Sequence, residues 1–374
     1  MVTAPERVHR ARTARNRRYH TPRMPAVGSV VPGRPAAEPG CIMPPHDIDC
    51  LVLGTSGVDV VVRPVDLARP IGGGRLVHVE PLDLTTGGIV CNSGIALRTL
   101  GLEVAAAGLV GDDLWGRIVR ERLADAGIDV VGIEPHPTEA TSSSAVLVDP
   151  GGERSFAHHV GAPRATDMAF VRRQLPLFAR ARMALIGYVG LMPRLGGDLA
   201  AAVAAIRGTG CGVALETSDD GGPLAELAAA LPLVDCFVPS LAEAAQQTGM
   251  SDPRAIIDCY RGHGAKGIVG VKLGTLGVLL SHGEGFEHIP CLPAPGPIVD
   301  ATGAGDAFLA GLLAGRHRGM SLRAAGLLGA ATAACCVTGL GGTAGLRSFA
   351  ETWRLATAEA RWQPPPEGRS TTCS

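Results

Sequence analysis

Aromatic side chains are scarce in this 374-residue chain, which has seven Phe, three Tyr and three Trp. A core of any size must then be built from Ala, Val, Leu and Ile. Charge is also thin, 18% of residues against a usual ~25%. Neither sign is in excess: 34 basic and 35 acidic residues leave a net charge of −1, which argues against a nucleic-acid partner. The ten Cys form no Cys-x-x-Cys pair and no Cys/His cluster of zinc spacing, so they read as reduced, mostly buried thiols of a cytoplasmic protein. No apolar h-region opens the chain, so no secretory signal is predicted. The first strand-like segment is followed by Gly54-Thr55-Ser56-Gly57. Without Gly-x-Gly-x-x-Gly at that point, a dinucleotide-binding dehydrogenase is a poor reading.

Glycine and proline, by contrast, are plentiful, at 51 and 28, but show no collagen period. Residues 1–46 are rich in Arg and Pro and have only Glu6 and Glu38 as acids. The prolines break the amphipathic helix that an organelle transit peptide needs, so a disordered tail is predicted there, and another over 361–374. Residues 324–346 hold no Asp, Glu, Lys or Arg. Their Gly- and Thr-punctuated second half predicts a buried helix and a Gly-rich loop rather than a membrane span.

Between the tails, 47–360 reads as one domain. Apolar runs at 51–53, 105–110, 183–186, 212–215, 236–238, 267–271 and 278–281 read as strands. Stretches of helical period fall at 114–126, 198–207, 223–230, 241–248, 253–263 and 304–316. This alternation predicts an α/β fold with a mostly parallel central sheet covered on both faces. Two pairs of extended runs break it, 58–65 with 76–84 around Gly72–Gly74, and 141–148 with 154–160 around Asp149-Pro150-Gly151-Gly152. Both read as hairpins, placed together as a small β appendage.

The sharpest chemical signal is Asp300-Ala301-Thr302-Gly303-Ala304-Gly305-Asp306, which opens a helix. Small residues there let backbone N–H groups close on an anion. Asp306, one turn in, would repel a resting phosphate but suits a base for a hydroxyl attacking it. Helix-dipole pairing is its bland alternative. A second constellation is Gly87-Gly88-Ile89-Val90-Cys91-Asn92, leading into a helix at 95–100. Gly88 would let a small ligand lie on backbone, and Asn92 would bond hydroxyls or cap the helix. Asp59, at a predicted strand–loop junction, would grip vicinal hydroxyls or be a solvated loop acid. Asp112 reads as a helix cap.

These two segments resemble the ribokinase-like carbohydrate kinases of the PfkB family, over roughly 48–350. The resemblance implies a three-layer α/β/α fold whose β appendage, about 58–86 and 141–160, is a substrate lid. It implies ATP-dependent phosphorylation of a hydroxymethyl group with Asp306 as base, for which an unshifted carboxyl would suffice, and Gly303, Ala304 and Gly305 as anion hole. It implies Asp59, Gly88 and Asn92 on the sugar. Lys272, Gly274 and Gly277 would lie at the nucleotide, and Glu243 would organise Mg²⁺. Asp300, Thr302 and Gly341 would form a K⁺ site. Ser240 stands where the family usually has Asn, and Ala301 where it usually has Thr, so a non-catalytic binding protein is a second reading. Ile89 and Val90 in the Gly-Gly turn favour a neutral sugar over a phosphorylated one, with a nucleoside as alternative. Arg154 or Arg164 could still reach the substrate, and of His158 and His159 at most one should. An exposed lid edge could pair two copies.

Overall fold

The computed structural model describes residues 46–360 apart from 70, 71, 75, 152 and 219–221, and both predicted tails lie outside the described residues. In chain order the elements are β1 (Ile48–Gly54), β2 (Gly57–Val62), β3 (Asp83–Gly87), α1 (Ile89–Thr99), β4 (Val104–Gly111), α2 (Leu114–Asp125), β5 (Asp129–His136), β6 (Ser142–Val148) and β7 (Arg154–His159). Then come α3 (Met168–Phe178), β8 (Ala181–Gly187), α4 (Pro193–Gly196), α5 (Leu199–Arg207), β9 (Gly212–Glu216), α6 (Leu224–Ala228), β10 (Cys236–Phe237), α7 (Leu241–Thr248) and α8 (Pro253–Gly262). The last are β11 (Ile268–Lys272), β12 (Val278–His282), β13 (Gly285–Ile289), α9 (Ala304–His317), α10 (Leu322–Cys336) and α11 (Phe349–Ala360).

Nine strands form one sheet in the order β13-β12-β11-β10-β9-β8-β1-β4-β5. Only the β11–β12 and β12–β13 pairings are antiparallel. The two-residue alternation of β1 divides the core. Cys50 and Val52 point to the face covered by α1, α9 and α10, while Leu51 and Leu53 point to the face covered by α3, α5 and α8. Both layers are aliphatic, as the shortage of aromatics requires. Helix α10 packs on α9 through glycines: a Cβ at Gly311 would lie 2.7 Å from Gly329 Cα. No helix among the described residues is long and apolar enough to cross a membrane.

The appendage is a separate four-stranded sheet, β3-β2-β6-β7. It differs from the expectation in its first pair. Strand β2 pairs antiparallel with 83–87, not 76–84, and the Gly72–Gly74 segment lies in an exposed loop. The polar run Asp83–Gly87 carries no strand-like apolar pattern, so its pairing rests on tertiary contacts. The central pairing, β2 with β6, is parallel, in register Asp59↔Ser144.

Three smaller corrections are local. Helix α1 starts at Ile89 rather than 95, with Gly88 (φ 82°) as its N-cap, so Asn92 lies inside the helix and caps nothing. Asp113, not Asp112, caps α2 by accepting from Gly116 N. Asp59 sits within β2, not at a strand–loop junction.

Candidate active site

The C-terminal ends of β8, β9 and β11 open toward the first turn of α9, the position where open parallel sheets gather ligands. Gly303 (φ 76°) is the N-cap of α9. A Cβ there would meet Gly342 Cα at 2.6 Å, so this close approach admits only glycine. The turn that follows, Ala304 to Asp306, lines a cleft of about 290 Å³ together with Tyr188, Glu216, Ser218, Ser240, Glu243, Lys272 and Gly274.

Asp306 is 4% exposed. Its Oδ2 accepts from Asn92 Nδ2 at 2.8 Å and from the Tyr188 hydroxyl at 2.7 Å. Its own carbonyl accepts from Ser93 Oγ, which fixes α9 to α1. Its Oδ1 takes no hydrogen bond from a described residue. Burial raises the Asp306 carboxyl above its ordinary range, opposed by the two donors and by Lys272. Burial and the neighbouring carboxylates hold the Tyr188 phenol well above its usual value, so it remains a neutral donor.

Tyr188 is the one non-glycine residue with positive φ among the described residues (φ 60°, ψ 42°). Such a conformation costs of order 1–3 kcal/mol and persists where surroundings impose it. Here it turns the ring from the end of β8 onto Asp306, with the Tyr188 amide donating to Glu216 O.

Lys272, at the end of β11, donates to Glu216 Oε1 at 2.9 Å in a buried pair. Its Nζ lies 3.2 Å from where a Gly305 Cβ would stand, so it reaches the first turn of α9. Burial raises Glu216, and Asp306 and Glu243 reinforce the rise against Lys272. Burial opposes charge on Lys272, but Glu216 and Glu243 outweigh it, and the net shift is upward. Three carboxylates around one lysine leave the cleft short of positive charge. Glu216 Oε2, Ser218 Oγ and Asn92 Oδ1 are buried without a hydrogen-bond partner. Two of these atoms, on Glu216 and Ser218, belong to residues that line the cleft and suit a polar ligand, while Asn92 Oδ1 faces Gly342.

Ser240 is explained by a capping box on α7: Ser240 N donates to Glu243 Oε2 at 2.6 Å, and Glu243 N donates to Ser240 Oγ at 3.2 Å. The backbone N–H of residue 240 therefore holds the Glu243 carboxylate at the cleft, while the serine hydroxyl caps the helix. Gly274 lines the cleft, but Gly277 does not. It packs against the end of β13, where a Cβ would meet Ile289 O at 2.1 Å.

The appendage side is built across strands. Thr85, Asp59, Ser144 and His158 stand in one cross-strand row, and Ser144 Oγ lies 3.0 Å from His158 Nδ1. The Asp59 carboxylate overlies Gly87, where a Cβ would be 2.5 Å from Oδ2. Burial raises this carboxyl, against Ser144 and His158. His158 thus shares Asp59's face, while His159 points the other way.

Asp300, Thr302 and Gly341 also come together. Asp300 Oδ1 accepts from Thr302 N, and Oδ2 from Gly341 N, each at 2.7 Å. Arg154 Nη1, from the start of β7, contacts both Asp300 Oδ1 and Thr302 Oγ1. Burial works to raise the Asp300 carboxyl, but Arg154 and the backbone donors prevail and hold it low. Oxygens already holding a guanidinium and backbone donors do not fit a monovalent cation.

Sequence reasoning missed Tyr188, Glu216 and Ser93. The first two sit singly at strand C-termini, and that position was their only signal.

Residues 48–348 match the pfkB family carbohydrate kinases, and the chain belongs to that family. It is similar to a fructokinase from Klebsiella pneumoniae, 31% identical over 71% of this chain and 83% of the relative. An aminoimidazole riboside kinase from Salmonella typhimurium is 32% identical over 61% and 72%. A ribokinase from Haemophilus influenzae is 28% identical over 80% and 96%. The fold is ribokinase-like: a solved ribokinase from Arabidopsis thaliana, complexed with ribose and ATP, superposes with a TM-score of 0.72 at 23% identity, covering 83% of this chain and 98% of that one.

Proposed function

We propose that this protein transfers the γ-phosphoryl group of ATP to a hydroxymethyl group of a small neutral sugar or sugar-like substrate. The observation that carries the reading is Asp306, buried in the first turn of α9 with Oδ2 held by Asn92 and Tyr188 and Oδ1 unengaged. Oδ1 is the atom that accepts the proton of the attacking hydroxyl, while the two donors favour the ionised carboxylate against burial. The amides at Gly303–Gly305 face the transferred group, and Lys272 adds the positive charge that a loose, charge-spread transition state needs. Gly274 lies on the nucleotide side and Gly277 holds the turn behind it.

Glu243 and Glu216 are oxygen donors of the kind that suit Mg²⁺, and the orphaned Glu216 Oε2 leaves a lone pair for it. When bound with ATP, Mg²⁺ neutralises phosphate charge. On the substrate side Asp59, Gly88 and Asn92 bind hydroxyls, and the lid excludes water. A neutral substrate follows from Arg154 being spent on Asp300, and from Ile89 and Val90 being buried beside Gly88. Nucleosides remain in view because a riboside kinase is among the similar sequences. The lid's edge strand β7 offers free backbone groups to a second copy.

The test is ADP release over a panel of sugars and nucleosides, for the native chain and Asp306→Asn. The native chain should turn over one substrate class. The variant should lose kcat by about 10²–10⁴-fold, with ADP affinity by calorimetry unchanged. Near-native turnover in Asp306→Asn would falsify the assignment.

A further inference from the structure

We propose that Arg154 is the fixed counter-cation of the anion-hole loop, standing where K⁺ would otherwise be expected and making this kinase indifferent to monovalent cations. The proposal rests on the kinase reading above.

Asp300 and Thr302 begin the loop that presents Gly303, Ala304 and Gly305. Asp300 is 4% exposed, and a bare carboxylate there would oppose phosphoryl charge arriving next to it. Its Oδ1 is shared between Thr302 N and Arg154, its Oδ2 is taken by Gly341 N, and the Thr302 hydroxyl is taken by Arg154. A metal ion must displace a guanidinium that is always charged and tethered to the chain, and would be repelled by it while doing so. Both jobs of a site cation, neutralising Asp300 and fixing the loop, are thus done by a side chain. Arg154 acts through the loop and is a positioning residue.

Arg154 is also the first residue of β7, opposite Val148 in the lid. Asp59, Arg154 and Asp300 line one cavity between lid and loop. The guanidinium is therefore delivered by the lid, and the loop is neutralised while the lid rests on it.

Two measurements on the full chain test this, each in KCl and in tetramethylammonium chloride. The native protein should show no K⁺-specific rise in thermal midpoint, and its kcat should agree within about twofold at matched ionic strength. Arg154→Gln should lower kcat about a hundredfold, in the range of a lost oxyanion-side contact. K⁺ should then raise that variant's midpoint and restore kcat about tenfold, as a unit charge at a partly open site would. Arg154→Lys, which keeps a charge, should stay cation-indifferent and serves if the Gln variant does not fold. A K⁺-specific midpoint rise or strong K⁺ activation in the native chain overturns the proposal. So does an Arg154→Gln variant with native kcat and no response to K⁺. If the native chain phosphorylates nothing, the kinase reading fails, while the thermal arm still decides the counter-cation.

Discussion

Under the proposed reading Asp306 takes the proton and must be ionised to do so; burial raises it, so the donors on Oδ2 would set the pH at which turnover begins. Loss of activity on the acid side should follow the raised Asp306 value, above the ordinary ~3.9 of an Asp carboxyl. The sign for Tyr188→Phe follows from its role as donor. Removing that hydrogen bond destabilises the anion, raises Asp306 further and moves the acid limb of kcat/KM to higher pH, by up to about one unit. A pH–rate profile unchanged in that variant would mean the phenol does not bond the base. Gly303, Gly305 and Asp306 stood out in the sequence because a run of small residues opening a helix implies an anion, whereas Lys272 came only with the family resemblance; the structure gathers all four at one cleft. Tyr188 did not stand out, because its role depends on a backbone conformation and on a contact 118 residues away.

At the scale of elements, Ser240 shows a departure from pattern repaired locally. Losing the capping-box bond in Ser240→Ala should cost about 1 kcal/mol, read as a lower urea midpoint, with Asn far milder. The Ala variant should leave metal–nucleotide binding close to native, since the Glu243 carboxylate is held by the backbone N–H of residue 240, which alanine keeps. Gly88 is stricter: its φ is 82° and a Cβ would lie 2.5 Å from Thr55 O. Gly88→Ala should destabilise by on the order of 1–3 kcal/mol and raise the substrate KM more than it lowers kcat. Elements with continuous apolar runs, such as β1, β4 and β8, were plain in the sequence. Strand β5 was missed because it is an edge, alternately exposed and carrying Pro135, which edges tolerate. Helix α3 was missed behind Pro176, and β3 because a polar run pairs only through its partner.

Over the whole molecule, strand–helix alternation was enough to foresee a parallel sheet between two helical layers. It was not enough to foresee how the lid is joined, because a parallel pairing between distant strands leaves no local mark. A lid that closes on its substrate should show it in amide exchange. Adding substrate with an unreactive ATP analogue should slow exchange over 142–159 and leave β1 and β4 unchanged. Uniform slowing would instead indicate general stabilisation by ligand, about 2.7 kcal/mol at a hundredfold excess over Kd.

The parallel partnership of β2 with β6 also sets an order of events during synthesis. Strand β2 leaves the ribosome with β3 soon after it, but its other edge waits until residue 142 has been made, after α1, β4, α2 and β5. Through that interval the nascent chain carries an unguarded β edge, a place for errant pairing. The same long loop slows the closing of the small sheet, which cannot finish before β7 has been made.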